Sequence, residues 1–269
     1  MQERPSWAPA SVDLDRPNAA RVYDYFLGGA CNFEQDRVFA EKVLAIMPEA
    51  REASRLNRAF LRRAVRFCVT NGIDQFLDLG SGIPTAGNVH EIAQQASADT
   101  KVVYVDLEPV AVTHSELLLA DNVNAGIVHA DLCDVDTVLG SPITRDLIDF
   151  SRPVAVMLVS VLHFVPPEAG AQAAVARYVE MMAPGSFLAI SHGTADPRSE
   201  KTGETSQLYK RSTTPGVNRS RAEIEAFFAG TELVEPGLVW TPQWHPDSPE
   251  DVGEHPEESI VLAGVGRKV

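Results

Sequence analysis

A chain of 269 residues with 45% hydrophobic content is long enough for one large α/β domain with a small helical addition. No stretch approaches the roughly 18–20 uninterrupted apolar residues that cross a bilayer, so no membrane partner is expected. The formal net charge of −14 repels a phosphate backbone and argues against a nucleic-acid partner.

The opening stretch, MQERPSWAPASVDLDRP, is polar and proline-rich without an apolar segment. It is not expected to be a secretory signal, and residues 1–15 are expected to form a loose, dispensable arm. Apolar residues then recur at helical spacing over Ala19 to Leu27 and Gln35 to Ile46, separated by Gly28-Gly29. Pro48 breaks the second pattern, a third helix runs from about Ala50 to Val69, and Asn71-Gly72 ends it. Residues 16–70 are expected to cap a domain that occupies 71–269. From there strands are expected near 75–79, 101–105, 126–130, 153–159 and 185–191, with helices near 86–97, 109–121 and 168–182. Such alternation builds a parallel sheet covered on both faces. Ser220-Arg221-Ala222-Glu223 reads as a capping box opening a helix that ends at Gly230. Two last strands, near 231–239 and 259–265, are joined by the proline- and acid-rich loop Thr241–Glu258 without a helix. They should pair as an antiparallel hairpin.

The most informative stretch is Gln75 to Gly87, QFLDLGSGIPTAG. A short buried strand ends at Asp78, and Gly80-Ser81-Gly82 turns tightly toward a helix expected to begin near Pro84 to Ala86. Such a turn at the carboxyl end of a central strand is where open α/β sheets bind nucleotides. Alone the signal is weak. The downstream strands strengthen it: Val102-Val103-Tyr104-Val105 ends in Asp106, Gly126 to Ala130 ends in Asp131, and Pro153 to Val159 ends in Ser160. An acid at the tip of the second strand can accept from both ribose hydroxyls of a nucleoside.

Asp78-Leu79-Gly80-Ser81-Gly82, Asp106, Asp131-Leu132 and Val159-Ser160, with His163 close behind, resemble the successive motifs of the class I S-adenosylmethionine-dependent methyltransferases. Arg21–Gly29 (RVYDYFLGG), Asn32–Arg37, Asn57–Phe67 and Val161–Val165 (VLHFV) further resemble an actinobacterial methyltransferase family first described as a domain of unknown function. The resemblance implies a doubly wound, Rossmann-like, seven-stranded sheet with a terminal antiparallel hairpin and an N-terminal helical extension. It implies S-adenosyl-L-methionine as cofactor, held by Tyr23, Asp78, Gly80, Ser81, Gly82, Asp106, Leu107, Asp131, Leu132 and Ser160. Asp78 is expected near the amino-acid end of the cofactor and Asp106 at the ribose. Asp131 is expected at the adenine amino group, against the reading of a turn-forming Asp. Pro84 stands where the family pattern has a third glycine, and proline suits a first helical turn.

No catalytic residue is fixed by the sequence. His163 is a weak candidate for a general base; its apolar surroundings favour an ordered imidazole that shapes the pocket. Tyr23-Asp24-Tyr25-Phe26 followed by Gly28-Gly29 reads equally as core or as a lid over the cofactor. Arg51, Arg55, Arg58, Arg62 and Arg66 share one helix face. They read first as a solvated stripe paired with carboxylates, and alternatively as a stripe from which Arg58 reaches an anionic ligand. The Asn-Pro-Pro-aromatic tetrad of enzymes that methylate amino groups of DNA and glutamine, and the Pro-Cys nucleophile of cytosine-5 enzymes, are both missing after the fourth strand. With the acidic charge, this favours a small-molecule acceptor, with a protein acceptor as the other reading. A non-catalytic S-adenosylmethionine-binding protein is the alternative, and a nicotinamide oxidoreductase is disfavoured by the terminal hairpin. The three cysteines, Cys31, Cys68 and Cys133, are far apart and without zinc-ligand spacing. They fit a reducing cytoplasm, with no metal expected. The oligomeric state is not legible.

Overall fold

The computed structural model describes residues 8–85, 87–194, 196, 199–210 and 212–269. Five parallel strands run as expected: β1 (Gln75–Leu79), β2 (Lys101–Asp106), β3 (Ala125–His129), β4 (Ala155–Val159) and β5 (Phe187–Gly193). Three more follow, β6 (Glu232–Leu233), β7 (Val239–Trp240) and β8 (Val261–Arg267). The sheet order is β3-β2-β1-β4-β5-β8-β6, with β7 also on β8. Strand order reverses between β1 and β4, which is where a doubly wound sheet opens a crevice at its carboxyl edge.

The expected terminal hairpin is present, but the sheet has eight strands among the described residues rather than seven. The single strand foreseen over 231–239 is broken. Leu233 pairs with Gly266 near one end of β8, while Val239 and Trp240 pair with Ala263 and Leu262. Pro236 has no N–H to give a ladder and Gly237 has φ +85°, so the chain leaves the sheet between them.

The helices are α1 (Ala19–Phe26), α2 (Glu34–Ile46), α3 (Ala50–Thr70), α4 (Val89–Ala96), α5 (Pro109–Leu119), α6 (Val135–Gly140), α7 (Pro142–Leu147), α8 (Ala171–Met181), α9 (Ser199–Tyr209) and α10 (Arg221–Glu225). Helix α4 starts later than Pro84 to Ala86. Gly87 has φ +78°, and the Glu91 carboxylate accepts from the N–H groups of Gly87 at 2.7 Å and Asn88 at 2.8 Å, which fixes the start one turn further on. The helix opened by Ser220 keeps its capping box but is only α10, tightening to a 3₁₀ turn over Ala226–Phe228.

Alternate residues of β1 feed two cores, as period-two geometry requires. Leu77 and Leu79 join Val103, Val156 and α8 on one face; Phe76 joins Val102, Met157 and α3 on the other. Helix α3 therefore covers the sheet itself: its Phe60, Leu61, Ala64 and Val65 lie in that second core. It is anchored at the far end of the sequence as well. Buried Arg63 donates from Nε to the carbonyl of Trp244 at 2.8 Å and from Nη2 to that of Thr241 at 2.7 Å. Trp244 meets Phe60 and Phe67 edge-on at 5.4 and 5.5 Å. Helices α1 and α2 meet in a separate small core built on Val22, Phe26, Phe39 and Val43, which Ala50 of α3 and Tyr209 of α9 join.

The expectation of a loose arm fails for residues 8–15; residues 1–7 lie outside the described residues. Ala8 and Val12 are buried against Phe33, Ile83, Val110 and Ala111, and the Asp13 carbonyl accepts from Arg21 Nη2 at 3.1 Å. Deleting residues 1–15 should accordingly lower stability by about 2 kcal/mol, the worth of one buried Val side chain and its neighbours. Urea denaturation of the truncated and full chains checks this, and equal midpoints would sink it.

Candidate active site

A cavity of about 520 Å³ lies over the carboxyl ends of β1, β2, β3 and β4. Tyr23, Asp78, Gly80, Ser81, Gly82, Asp106, Leu107, Asp131, Leu132 and Ser160, the residues singled out in the sequence, all line it. His163 does not; it lines a second, smaller cavity next door.

The glycine turn is built on two left-handed residues, Gly80 at φ +72° and Gly82 at φ +70°. The N–H groups of Gly80 and Ser81 both donate to the Val105 carbonyl, at 2.8 and 3.1 Å, which pins the turn to β2. The two glycines differ. A Cβ on Gly80 would sit 2.2 Å from Val161 Cγ2, whereas a Cβ on Gly82 would meet nothing within 4 Å. Gly80 is thus small because Val161 fills the space behind it, and Gly82 is the one whose bare face looks into open volume. The Ser81 hydroxyl is buried without a hydrogen-bond partner among the described residues. Such an orphan in a polar niche awaits a ligand group or water.

Asp106 is buried, not an exposed acid at a strand tip. Its carboxylate accepts from Gly82 N–H at 2.7 Å and Glu108 N–H at 2.8 Å, so it also ties the glycine turn to the start of α5. Burial raises its pKa above the usual carboxylate value against those hydrogen bonds. Asp78 is buried in β1, and desolvation pushes its pKa up to about 7, with Arg58 pulling it down and Asp106 pushing it further up. Arg58 itself donates to the Gly87 carbonyl at 2.9 Å. Asp131 makes the turn that its alternative reading foresaw, accepting from Cys133 N–H at 2.8 Å, while still lining the cavity. Leu107 is exposed beside it, and buried Leu132 accepts through its carbonyl from Tyr178 at 2.8 Å. Ser160 adopts φ +60°, a left-handed conformation that costs a non-glycine residue about 1–3 kcal/mol and clusters at functional sites.

The amino-terminal segment contributes part of the cavity wall. Tyr23 donates to the Ser54 carbonyl at 3.0 Å and accepts from Asn57 Nδ2 at 2.9 Å, and Asn57 Oδ1 accepts from Ser191 at 2.5 Å. Burial raises the Tyr23 pKa, so the phenol stays protonated. The paired glycines have local tasks. Gly28 takes φ +82° to end α1, and a Cβ on Gly29 would overlap the Asp24 carboxylate. That carboxylate accepts from Cys31 N–H at 2.9 Å and Asn32 Nδ2 at 2.8 Å. Tyr25 points outward, donating to Glu41 at 2.7 Å.

Sequence reasoning missed the group that fastens this segment. Buried Arg21 pairs with Asp36 and with Glu108, each at 2.9 Å, and its Nη2 donates to the carbonyls of Asp13 and Arg16. One guanidinium thereby joins the amino-terminal stretch, α1, α2 and the start of α5. Arg21 stands in the quoted RVYDYFLGG, but its partners are remote in sequence, so nothing local marks it. The arginine stripe on α3 is mostly the solvated face expected: Arg55 pairs with Glu52, Arg51 with Glu41, and Arg62 and Arg66 with Asp247. Among the described residues no cluster of His, Cys, Asp and Glu could hold a metal ion, and no helix is long and apolar enough to cross a membrane.

Comparison with known proteins agrees with this geometry. A family model described as S-adenosyl methyltransferase matches residues 5–269. A DUF574-family protein from Streptomyces avermitilis is 38% identical, with 96% of this chain and 99% of that one covered and a TM-score of 0.91. A provisionally assigned methyltransferase from Thermobifida fusca is 41% identical, with 98% and 99% covered and a TM-score of 0.91. No curated protein matches the chain. With the family model spanning nearly the whole sequence, the chain belongs to the S-adenosyl methyltransferase family, and its cofactor is S-adenosylmethionine.

Proposed function

We propose that this methyltransferase holds S-adenosylmethionine in the larger cavity and passes its methyl group to a small-molecule acceptor. The observation that carries the reading is the convergence of all ten sequence-marked residues on one cavity. The acidic net charge of −14 and the narrowing of the cavity by Asp13, Arg21 and Thr213–Pro215 in its lining support a small acceptor over a polyanion. The cofactor supplies an activated methyl group bound to a sulfonium. The chain's own residues supply orientation and a shielded, preorganised surround.

The residues present fit that ligand. Asp106 retains lone pairs beside its two backbone bonds with which to accept from the ribose hydroxyls. The bare face of Gly82 leaves room for the ligand's backbone-facing edge, and the Ser81 hydroxyl gains the partner it lacks. Asp131 and Leu132 border the adenine end. Asp78 faces the ammonium of the amino-acid end. Tyr23 and Ser160 line the side toward the acceptor. His163 is not suited to the base role considered for it. Its Nδ1 accepts from Gly193 N–H at 3.2 Å, and burial holds its pKa well below the usual imidazole range. It serves as a neutral wall.

The experiment is calorimetric titration with S-adenosylhomocysteine and S-adenosylmethionine, followed by an acceptor screen. Binding without turnover on any acceptor would leave the non-catalytic alternative standing; no binding would overturn the reading. The pH dependence is specific. Asp78 titrates near 7 in the free protein, above its ordinary value. The apo protein therefore favours the protonated carboxyl and loses stability as pH rises from about 4 to 7. Ligand binding has the opposite sign, because a ligand ammonium selects the carboxylate. Affinity for S-adenosylhomocysteine should rise about tenfold between pH 5.5 and 7 as the carboxylate fraction grows. Asp78→Asn should flatten that rise, and an equally steep profile in the variant would remove Asp78 from the role.

A further inference from the structure

The second cavity, about 150 Å³, adjoins the first and shares Ala19, Tyr23, Asn57, Ser160 and Phe164 with it. Its walls come from α1, α2, α3 and α9, the last a helix that leaves no clear trace in the sequence pattern. Phe26, His163, Phe164 and Tyr209 give it aromatic sides, and Val43 and Met47 close it with aliphatic carbon. Phe164 and Tyr209 stand 5.2 Å apart, ring centre to ring centre, and Phe39 backs Tyr209 edge-on at 4.9 Å. No Asp, Glu, Lys or Arg lines it among the described residues.

We propose that this cavity takes the methyl acceptor, and that the acceptor is an uncharged compound with a single aromatic ring. The proposal rests on the methyl-transfer reading above and adds the acceptor's chemical class. Size sets the upper bound: an apolar protein cavity of ~150 Å³ accommodates benzene. Charge sets the second bound, since an ion placed here would be desolvated with no opposite charge to meet it. The polar groups on the walls are largely spent on one another. Tyr23 bonds to Ser54 and Asn57, Ser54 Oγ donates to the Ala50 carbonyl at 2.8 Å, Ser206 donates to Asn218 at 2.7 Å, and Thr194 Oγ1 donates to the Arg219 carbonyl at 3.2 Å. His163 is neutral, held so by burial and by the nearby His192 and Arg219. The cavity therefore presents mainly carbon to its occupant. Ser160, with its left-handed backbone, sits where the two cavities meet, so a ring seated against Phe164 and Tyr209 turns its one polar substituent toward the cofactor side. There the sulfonium S–CH3 bond breaks as the bond from the substituent to the methyl carbon forms, leaving S-adenosylhomocysteine, and the substituent's proton passes to water in the larger cavity.

Phenol is the probe, with benzoate and benzylammonium as charged rings of similar size. Binding is read by ligand-observed NMR on the full chain saturated with S-adenosylhomocysteine. Phenol should bind, and both charged rings should bind at least tenfold more weakly. Ala53→Leu fills the cavity from α3 and should weaken phenol binding at least tenfold while leaving S-adenosylhomocysteine affinity unchanged. Should that variant lose S-adenosylhomocysteine affinity through misfolding, Val43→Met fills the same space from α2. Charged rings binding as well as phenol, or phenol indifferent to the filling of the cavity, overturns the proposal. S-adenosylhomocysteine binding without any phenol binding overturns the acceptor assignment alone. Failure to bind S-adenosylhomocysteine overturns the methyl-transfer reading and the acceptor assignment with it.

Discussion

Arg21→Ala should destabilise the protein by about 3–5 kcal/mol, the cost of removing one member of a buried ion-pair network and leaving the other charges behind. The guanidinium side chain is 2% exposed and its partners Asp36 and Glu108 are 0% and 10% exposed. Asp36 is left buried without its partner, while Glu108 borders the cavity. The loss should fall unevenly. Amides of α1 and of residues 8–16 should lose hydrogen-exchange protection first, because the same side chain also holds the Asp13 and Arg16 carbonyls. Arg21→Lys should recover only part of the loss, since one ammonium cannot span two carboxylates and two carbonyls with a planar fork. Urea denaturation with exchange mass spectrometry measures both effects. A variant within about 0.5 kcal/mol of the wild type would mean that the network holds nothing.

The second large effect separates the two glycines of the turn. Gly80→Ala should cost about 3 kcal/mol or more of stability. It combines a left-handed backbone, about 1–2 kcal/mol for a residue with a Cβ, with an overlap on Val161 at 2.2 Å that the surrounding core resists. Gly82→Ala carries only the backbone cost, because its Cβ enters open volume. It should remain folded and lose cofactor affinity instead. Thermal melts with and without S-adenosylhomocysteine distinguish the two: Gly80→Ala shifts the apo melt, and Gly82→Ala abolishes the ligand-induced rise. If Gly82→Ala still showed the full rise, the glycine would not border the ligand.

Much of the sheet could be read from the sequence because β1, β2, β4 and β5 are buried on both faces and so appear as apolar runs. Phe76, Leu77 and Leu79 in β1 and Val102, Val103 and Val105 in β2 are fully buried, and their acidic or small tips mark the carboxyl edge. The strands that escaped are those defined by their partner. β6 and β7 are two residues each, too short for a periodic pattern, and the break between them belongs to Pro236 and Gly237. Helices α6 and α7 are each a turn and a half interrupted by Ser141-Pro142. Helix α9 is polar and glycine-containing, and its inward residue Tyr209 shows its purpose only beside Phe39. The candidate site divides the same way. Motif residues on strand tips were legible because one strand carries each of them. Arg21, Asp36, Glu108 and Asn57 were not, because each acquires its role from a group remote in the sequence. Asp106 lines the cavity as a strand-tip acid, but its burial was not foreseen: the two backbone N–H groups it accepts from come from a turn and a helix start that only the folded chain brings to it.

Arg63 bears on how the protein is made. Its guanidinium is capped by carbonyls of Thr241 and Trp244, which lie 178 and 181 residues later. During synthesis α3 leaves the ribosome early, and its apolar face, with Phe60 and Phe67, has neither Trp244 nor β8 to cover it until nearly the whole chain has emerged. The nascent protein is thus held open by its own connectivity. Completion is a late, long-range event, slow in the way that distant contacts make folding slow, and the unfinished chain offers a sticky helix face to chaperones and to its neighbours. A ribosome stalled shortly before Thr241 should present this chain in an aggregation-prone form.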